Sequence, residues 1–232
     1  MSATRVVLGA ALACAACGGK LPDTRYYQLA GQPAAPASQA PTSQAPASQA
    51  PASQAPGGEA LLVLETPSTD QAYDDDRIVY RTTPYRLDYY QYQRWSSPPG
   101  AMVGNYLEQA FQTSGKFRGV VRELVPDAPV VLAGRVLAIE EVDRSNTAWV
   151  GRIVLELVLT DARTNEALWT RQFEETEPLR QQTPEGLAAA LSVAMARIAA
   201  TAVPEVARIA ASRPQAPRAA VSAAAIKTID GR

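Results

Sequence analysis

Between Val130 and Thr176 the chain carries three long runs of strand character with little but turn-forming residues between them. Val130 to Val142 is the first. In the second, Trp149, Gly151, Ile153, Leu155, Leu157 and Leu159 mark one face, while Arg152 and Glu156 fall on the other. Leu168 to Thr176 is the third. The links DRSN and DARTNE are rich in Asp, Asn and Ser, whose short polar side chains bond to their own backbone in turns. Apolar residues at a period of two place one face of each strand on a core, and links this short return each strand antiparallel to the last. The run therefore predicts a β-meander, and everything else in the chain has to pack around it.

The segments upstream supply more strands and a helix. ALLVLET is a compact apolar strand stopped by Pro67. In the next segment Ile78 and Tyr80 alternate with Arg77, Val79 and Arg81, and Tyr85, Leu87 and Tyr89 alternate with Arg86, Asp88 and Tyr90. Thr82-Thr83-Pro84 lies between the two arms, the pattern of a β-hairpin. Ser96-Ser97-Pro98-Pro99 predicts a helix start, with Ser capping and Pro in the first turn. Val103, Tyr106, Leu107, Ala110 and Phe111 follow at helical spacing and Gly115 stops the helix. Thr183-Pro184-Glu185 opens an Ala-rich second helix whose Arg197, Thr201, Glu205 and Arg208 lie near one face, charges that argue against a membrane span. Pro204 should kink this helix or divide it in two. The predicted fold class is α+β: an antiparallel or mixed sheet with a β-meander, packed against two main helices.

From Pro36 to Pro56 the chain repeats PASQA with one PTSQA variant. A five-residue period with Pro in each unit, and no aromatic or large aliphatic residue, cannot bury a core and reads as a spacer. It separates a short strand candidate, TRYYQLA at 24–30, from the main domain. Upstream, Arg5 precedes a brief apolar run from Val6 to Ala16, too short for a permanent membrane helix and shaped like an export signal. The only two cysteines close it, and Ala-Ala-Cys followed by Gly-Gly resembles the bacterial lipobox, whose Cys thiol is acylated. Cys17 fits that motif better and Cys14 is the alternative; an ordinary secretory signal with incidental cysteines is the plainer reading. The chain divides accordingly into 1–16 signal, 17–30 anchor and first strand, 31–58 linker, 59–211 folded domain, and 212–232 a Pro/Ala-rich tail.

Charge and composition exclude more than they propose. The formal net charge of −1 over 232 residues gives no basic excess for nucleic acid. Histidine is absent altogether, which removes the usual general base of a Ser or Cys triad and the commonest transition-metal ligand. No nucleophile elbow, P-loop or dinucleotide motif occurs. Asp74-Asp75-Asp76 lacks the alternate spacing, the Gly and the distal Glu of a calcium loop, and Arg77 stands ready to neutralise one carboxylate, so a turn with an ion pair is expected rather than a metal site. No catalytic residue, metal or cofactor is expected. Six of the nine tyrosines lie between Tyr73 and Tyr92, interleaved with Arg and ending at Trp95. Tyr, Trp and Arg anchor protein interfaces. Arg77, Tyr80, Arg81, Tyr85, Tyr89, Tyr90, Tyr92, Arg94 and Trp95 are therefore the candidate partner-binding residues.

Taken in order, the lipobox, RYYQL, the apolar strand, AYDDDRIVYR, YYQYQRW, a helix, SGKF, a meander and a final helix resemble the ABC-type transport auxiliary lipoproteins. The likeness is closest from Leu61 to Val121 and extends over about Arg25 to Ala210; the long PASQA insertion and the extended tail depart from the family pattern. It implies a non-catalytic lipoprotein on the periplasmic face of the outer membrane, since Gly18 is not the inner-membrane retention Asp. Such proteins, PqiC-like members included, are partners of MCE-domain proteins and ABC transporter components in lipid transport. The anchor would carry a diacylglyceryl group and further acyl chains such as palmitate, enough for stable attachment. An assembly of several copies is compatible with this reading. Two others are a free-standing periplasmic lipid carrier and a scaffold lipoprotein of another envelope machine.

Overall fold

A single strand, β7 (Val130–Ser145), organises the computed structural model, which describes residues 22–31 and 58–213. The expectations for the signal segment, Cys14, Cys17, the PASQA repeat and all but the start of the C-terminal tail lie outside those residues. Along one edge β7 pairs antiparallel with β8 (Ala148–Asp161) over nearly its whole length, and β8 pairs with β9 (Ala167–Pro178). This is the expected meander. Asn165, at a φ of 58°, helps turn the chain between β8 and β9, a conformation that Asn tolerates better than most residues.

The other edge of β7 is shared in succession by three parallel partners. β2 (Leu61–Leu64) pairs with Val130–Leu132, β3 (Ser68–Thr69) with Arg135–Val136, and β4 (Arg77–Thr83) with Glu141–Val142. Beyond β2 lies β6 (Gly119–Val121), again parallel. Beyond β4 lies β5 (Arg86–Trp95), antiparallel to it, and then β1 (Arg25–Tyr27), parallel to β5. The sheet is therefore mixed and, among the described residues, has nine strands. Leu62, Val63 and Leu64 are all buried, as an inner strand requires.

Both helices cover one face. α1 (Pro99–Thr113) buries Val103, Tyr106, Leu107 and Phe111, the expected stripe. Its N-cap is Pro98 and no side chain caps it, so Ser96 and Ser97 lie too early: a residue before proline is driven to extended backbone, which delays the helix until Pro99. Gly115 ends the helix at a φ of 65°. α2 (Pro184–Ala211) starts where expected, with Thr183 Oγ1 accepting from the Gly186 N–H at 3.1 Å. It runs unbroken through Pro204, contrary to the expected division, because Ala202, Val203 and Val206 around the proline are all buried. By length and mean hydropathy (1.7) it is apolar enough to cross a membrane, but its stripe from Leu187 to Ala210 is buried in the fold. Its polar face lies on β9: Arg197 donates to Glu175 and Glu177, while Glu205 accepts from Trp169 and Arg171.

Candidate functional site

The aromatic segment forms the expected hairpin of β4 and β5, closed by the two-residue turn Pro84-Tyr85 between the paired Thr83 and Arg86. Its base is fixed on both faces of the sheet. On the face away from the helices, a single turn of 3-10 helix (Gln71–Tyr73) buries Tyr73 beside Glu140 of β7. Glu140 is completely buried and accepts from the Tyr73 hydroxyl at 2.7 Å, from Arg81 Nε at 3.1 Å and from Arg152 Nη1 at 2.8 Å. A buried carboxylate needs such company, since each unpaired ion carries a desolvation penalty of several kcal/mol. Burial, reinforced by the Glu140 charge, pushes the Tyr73 hydroxyl up to about 12. Arg81 also donates to the Pro84 carbonyl at 2.9 Å, tying the turn back to the network.

On the helix-covered face, Tyr80 and Tyr90 pack against each other with ring centroids 5.0 Å apart. The Tyr90 hydroxyl donates to Glu141 Oε1 at 2.9 Å. Glu141 is 1% exposed and lies beside Gly151, over which Leu187, Ala190 and Leu191 of α2 pack so closely that a side chain there would push them back. Burial raises the Glu141 carboxyl to about 7, opposed by the Tyr90 hydrogen bond and helped by the neighbouring Asp143. Asp143 is also raised, mainly by burial.

The triple Asp is not part of a strand and precedes β4. Asp75 is held by the Arg77 backbone N–H at 2.8 Å and by its guanidinium at 2.9 Å, which lower its carboxyl to about 2. Asp76 pairs with Arg94. The ion-paired turn is thus what the structure contains, and among the described residues no group of three or more acidic or cysteine side chains is placed to hold a metal.

The nine predicted contact residues divide sharply. Tyr85, at the turn, is 98% exposed, and Tyr89 is the next most open while donating to the Ala72 carbonyl at 3.0 Å. Arg77 lies 4.5 Å from the Tyr89 ring centroid, a cation–π arrangement. Arg77, Arg81 and Arg94 are all engaged in ion pairs. Tyr80, Tyr90 and Tyr92 are half-buried. Trp95 is 1% exposed and belongs to the core rather than to any contact surface. The cause is a shift of register: the run from Tyr89 to Arg94 stands opposite only the run from Arg77 to Val79. Strict alternation cannot survive that mismatch, and Trp95 turns inward with Tyr27, its partner on β1. Sequence reasoning missed Tyr73, Glu140, Glu141, Asp143 and Arg152. Two adjacent Glu within the apolar run of β7 were the signal available.

A second feature lies where the segment 26–31 runs along α2. An apolar groove of about 540 Å³ is lined there by Tyr26, Tyr27, Ala188, Ala189, Val193 and Ala196 among others. The hydroxyl of Ser192 on its wall is already used, since Ser192 Oγ accepts from the Ala30 N–H and donates to the Ala188 carbonyl.

Among solved structures, a Xanthomonas campestris protein of the family DUF330 matches at 23% identity and a TM-score of 0.59, over 68% of this chain and 89% of that one. A second crystal structure, of a protein described as uncharacterized, matches at 18% identity and a TM-score of 0.55, over 66% of this chain and 95% of that one. At these identities the likeness is one of fold. The comparison with curated proteins gives no match. Residues 27–203, from β1 through most of α2 and so spanning the hairpin, the meander and both helices, match one family model, and the chain belongs to the ABC-type transport auxiliary lipoprotein components.

Proposed function

We propose that this chain is a non-catalytic auxiliary lipoprotein of an ABC/MCE-type intermembrane lipid transport system. Acylation of Cys17 tethers it to the periplasmic face of the outer membrane, and the β4–β5 hairpin docks on the end of a periplasmic conduit built by an MCE-domain protein. Family membership supports the transport role. The observation that carries the docking surface is the contrast within the hairpin: the base is locked by buried polar contacts on both faces, while Tyr85 stands bare at the tip. A rigid strand pair with a free aromatic end loses little entropy on binding. Affinity purification of the tagged protein should recover an MCE-domain protein and ABC components, and Tyr85→Ala should reduce that recovery several-fold without altering folding. Recovery of neither component with the wild-type protein would refute the reading. Labelling with a clickable fatty acid tests the anchor: Cys17→Ser should abolish uptake, whereas retained label would move the anchor to Cys14.

One observation favours a second reading, a free-standing lipid carrier. The groove beside α2 has an apolar lining and a volume within the range of small-molecule sites. A carrier would hold lipid in stoichiometric amount through purification, which native mass spectrometry would detect.

A further inference from the structure

We propose that Glu141 and Asp143 hold one shared proton below neutral pH, and that this proton is what lets the two carboxylates sit together on β7 beneath α2. The inference rests on the position of the two side chains and is independent of what the hairpin docks on. They stand two apart on one strand and so point to the same face, the face that α2 covers at Gly151. Glu141 Oε2 and Asp143 Oδ1 are both buried and have no hydrogen-bond donor. Neither residue has an ion-pair partner among the described residues, in contrast to Glu140 on the opposite face.

Two neighbouring carboxylates, one buried and one half-buried, repel, and each orphaned oxygen forfeits its hydration. A single proton resolves both difficulties. Placed on Glu141 Oε2, it turns that oxygen into a donor for Asp143, while Glu141 Oε1 continues to accept from the Tyr90 hydroxyl at 2.9 Å. The chain of donors then runs Tyr90, Glu141, Asp143 with no orphaned member. The titratable groups facing the pair are Tyr90 from β5 and, packed on Tyr90, Tyr80 from β4; the neighbouring α2 residues over Gly151 are Leu187, Ala190 and Leu191. Across Gly151 stands Glu177, and the α2 cation beside it, Arg197, is ion-paired to it and to Glu175. The directions agree: Asp143 acts on Glu141 to raise it, and Glu141 acts on Asp143 to lower it, as expected when Glu141 is the member that carries the proton.

Loss of the proton leaves two adjacent anions beneath α2, and the Tyr90 hydroxyl bond, which favours the carboxylate, offsets only part of that cost. Since the folded-state value of Glu141, about 7, lies above its ordinary 4.5, this stabilisation is complete below about pH 4.5 and is lost as pH rises to about 7. That interval corresponds to a change of about 300-fold in the folding equilibrium.

The test uses the full chain, purified in detergent. Carbon-13 NMR of the side-chain carboxyls should show one Glu titrating near pH 7, a signal that Glu141→Gln removes; ionisation of every carboxyl below pH 5 would overturn the proposal. Unfolding followed from pH 4.5 to 8 should show the wild type losing stability relative to Glu141→Gln, whose amide donates to Asp143 at every pH; parallel profiles would overturn it. Hydrogen exchange, corrected for the intrinsic effect of pH, should speed up severalfold in β7 and in α2 over Gly151 between pH 6 and 8.5 in the wild type. The same acceleration in Glu141→Gln would show that the shared proton is not what holds the two elements together.

Discussion

Replacing Glu140 by Ala should destabilise the protein by about 3 kcal/mol, near the lower end of what breaking a buried ion pair costs. The carboxylate is fully buried and accepts from three side chains on three separate elements: Tyr73, Arg81 and Arg152. Its removal leaves the Tyr73 hydroxyl without its acceptor and sets two guanidinium groups facing each other across an empty site. Two features hold the penalty down. Arg152 keeps Glu174 at 2.8 Å and Arg81 keeps the Pro84 carbonyl at 2.9 Å. Both arginine side chains also retain some solvent contact, 22% for Arg81 and 29% for Arg152. In a domain of this size about 3 kcal/mol corresponds to a fall of roughly 6–12 °C in Tm. Thermal and urea unfolding by circular dichroism would measure it, with Glu140→Gln as comparator; the amide keeps one acceptor and should lose about half as much. Raising the salt concentration should change the penalty little, because buried charges are poorly screened. A Glu140→Ala protein within about 1 kcal/mol of the wild type would refute the reasoning, and would mean that the network is hydrated rather than structural.

Trp95→Ala should cost about 3–5 kcal/mol, the range for emptying a large buried aromatic site, and urea midpoints would show it; a stable variant that had lost only its partner would return Trp95 to the interface. Thr183→Ala should cost about 1 kcal/mol by removing the N-cap of α2, with Thr183→Ser close to neutral in the same unfolding assay. Tyr73→Phe removes one hydroxyl from Glu140 and leaves both arginines, so its cost should stay near 1–2 kcal/mol and add poorly to that of Glu140→Ala in a double-mutant cycle.

Local periodicity made the meander, the hairpin and both helices legible, because each is stabilised by contacts that recur at a fixed spacing along the chain. The three parallel partners of β7 were not legible. Their pairing depends on which distant segment arrives at which part of one long edge, and nothing within LLVL or RIVYR records that position. Trp95 shows the same limit inside a single element. Its neighbours Tyr89 to Arg94 read as a continuing strand arm, yet the arm is longer than the stretch it faces, and the mismatch reverses its final residue. The Ser-Ser-Pro-Pro start failed for a local reason that was visible: Pro99 keeps Pro98 extended. At the hairpin, residue types marked a polar-aromatic cluster correctly but could not say which rings face solvent, since that is set by β7 and α2.

Glu140 and Glu141 are consecutive, so a strand must send them to opposite faces, and β7 is covered on both at that point. One carboxylate is satisfied by two cations and a hydroxyl. The other has a hydroxyl and a second carboxylate, so only a proton completes it. Both attach the same hairpin, through Arg81 on one side and Tyr90 on the other. An ion-paired attachment and a titrating one on the two faces of one strand pair would let pH change how firmly the hairpin is held without releasing it. The two faces can be told apart by experiment: Arg81→Ala should weaken the hairpin at every pH, whereas Tyr90→Phe should weaken it most where Glu141 is charged, because the hydroxyl it removes is a bond that favours the carboxylate.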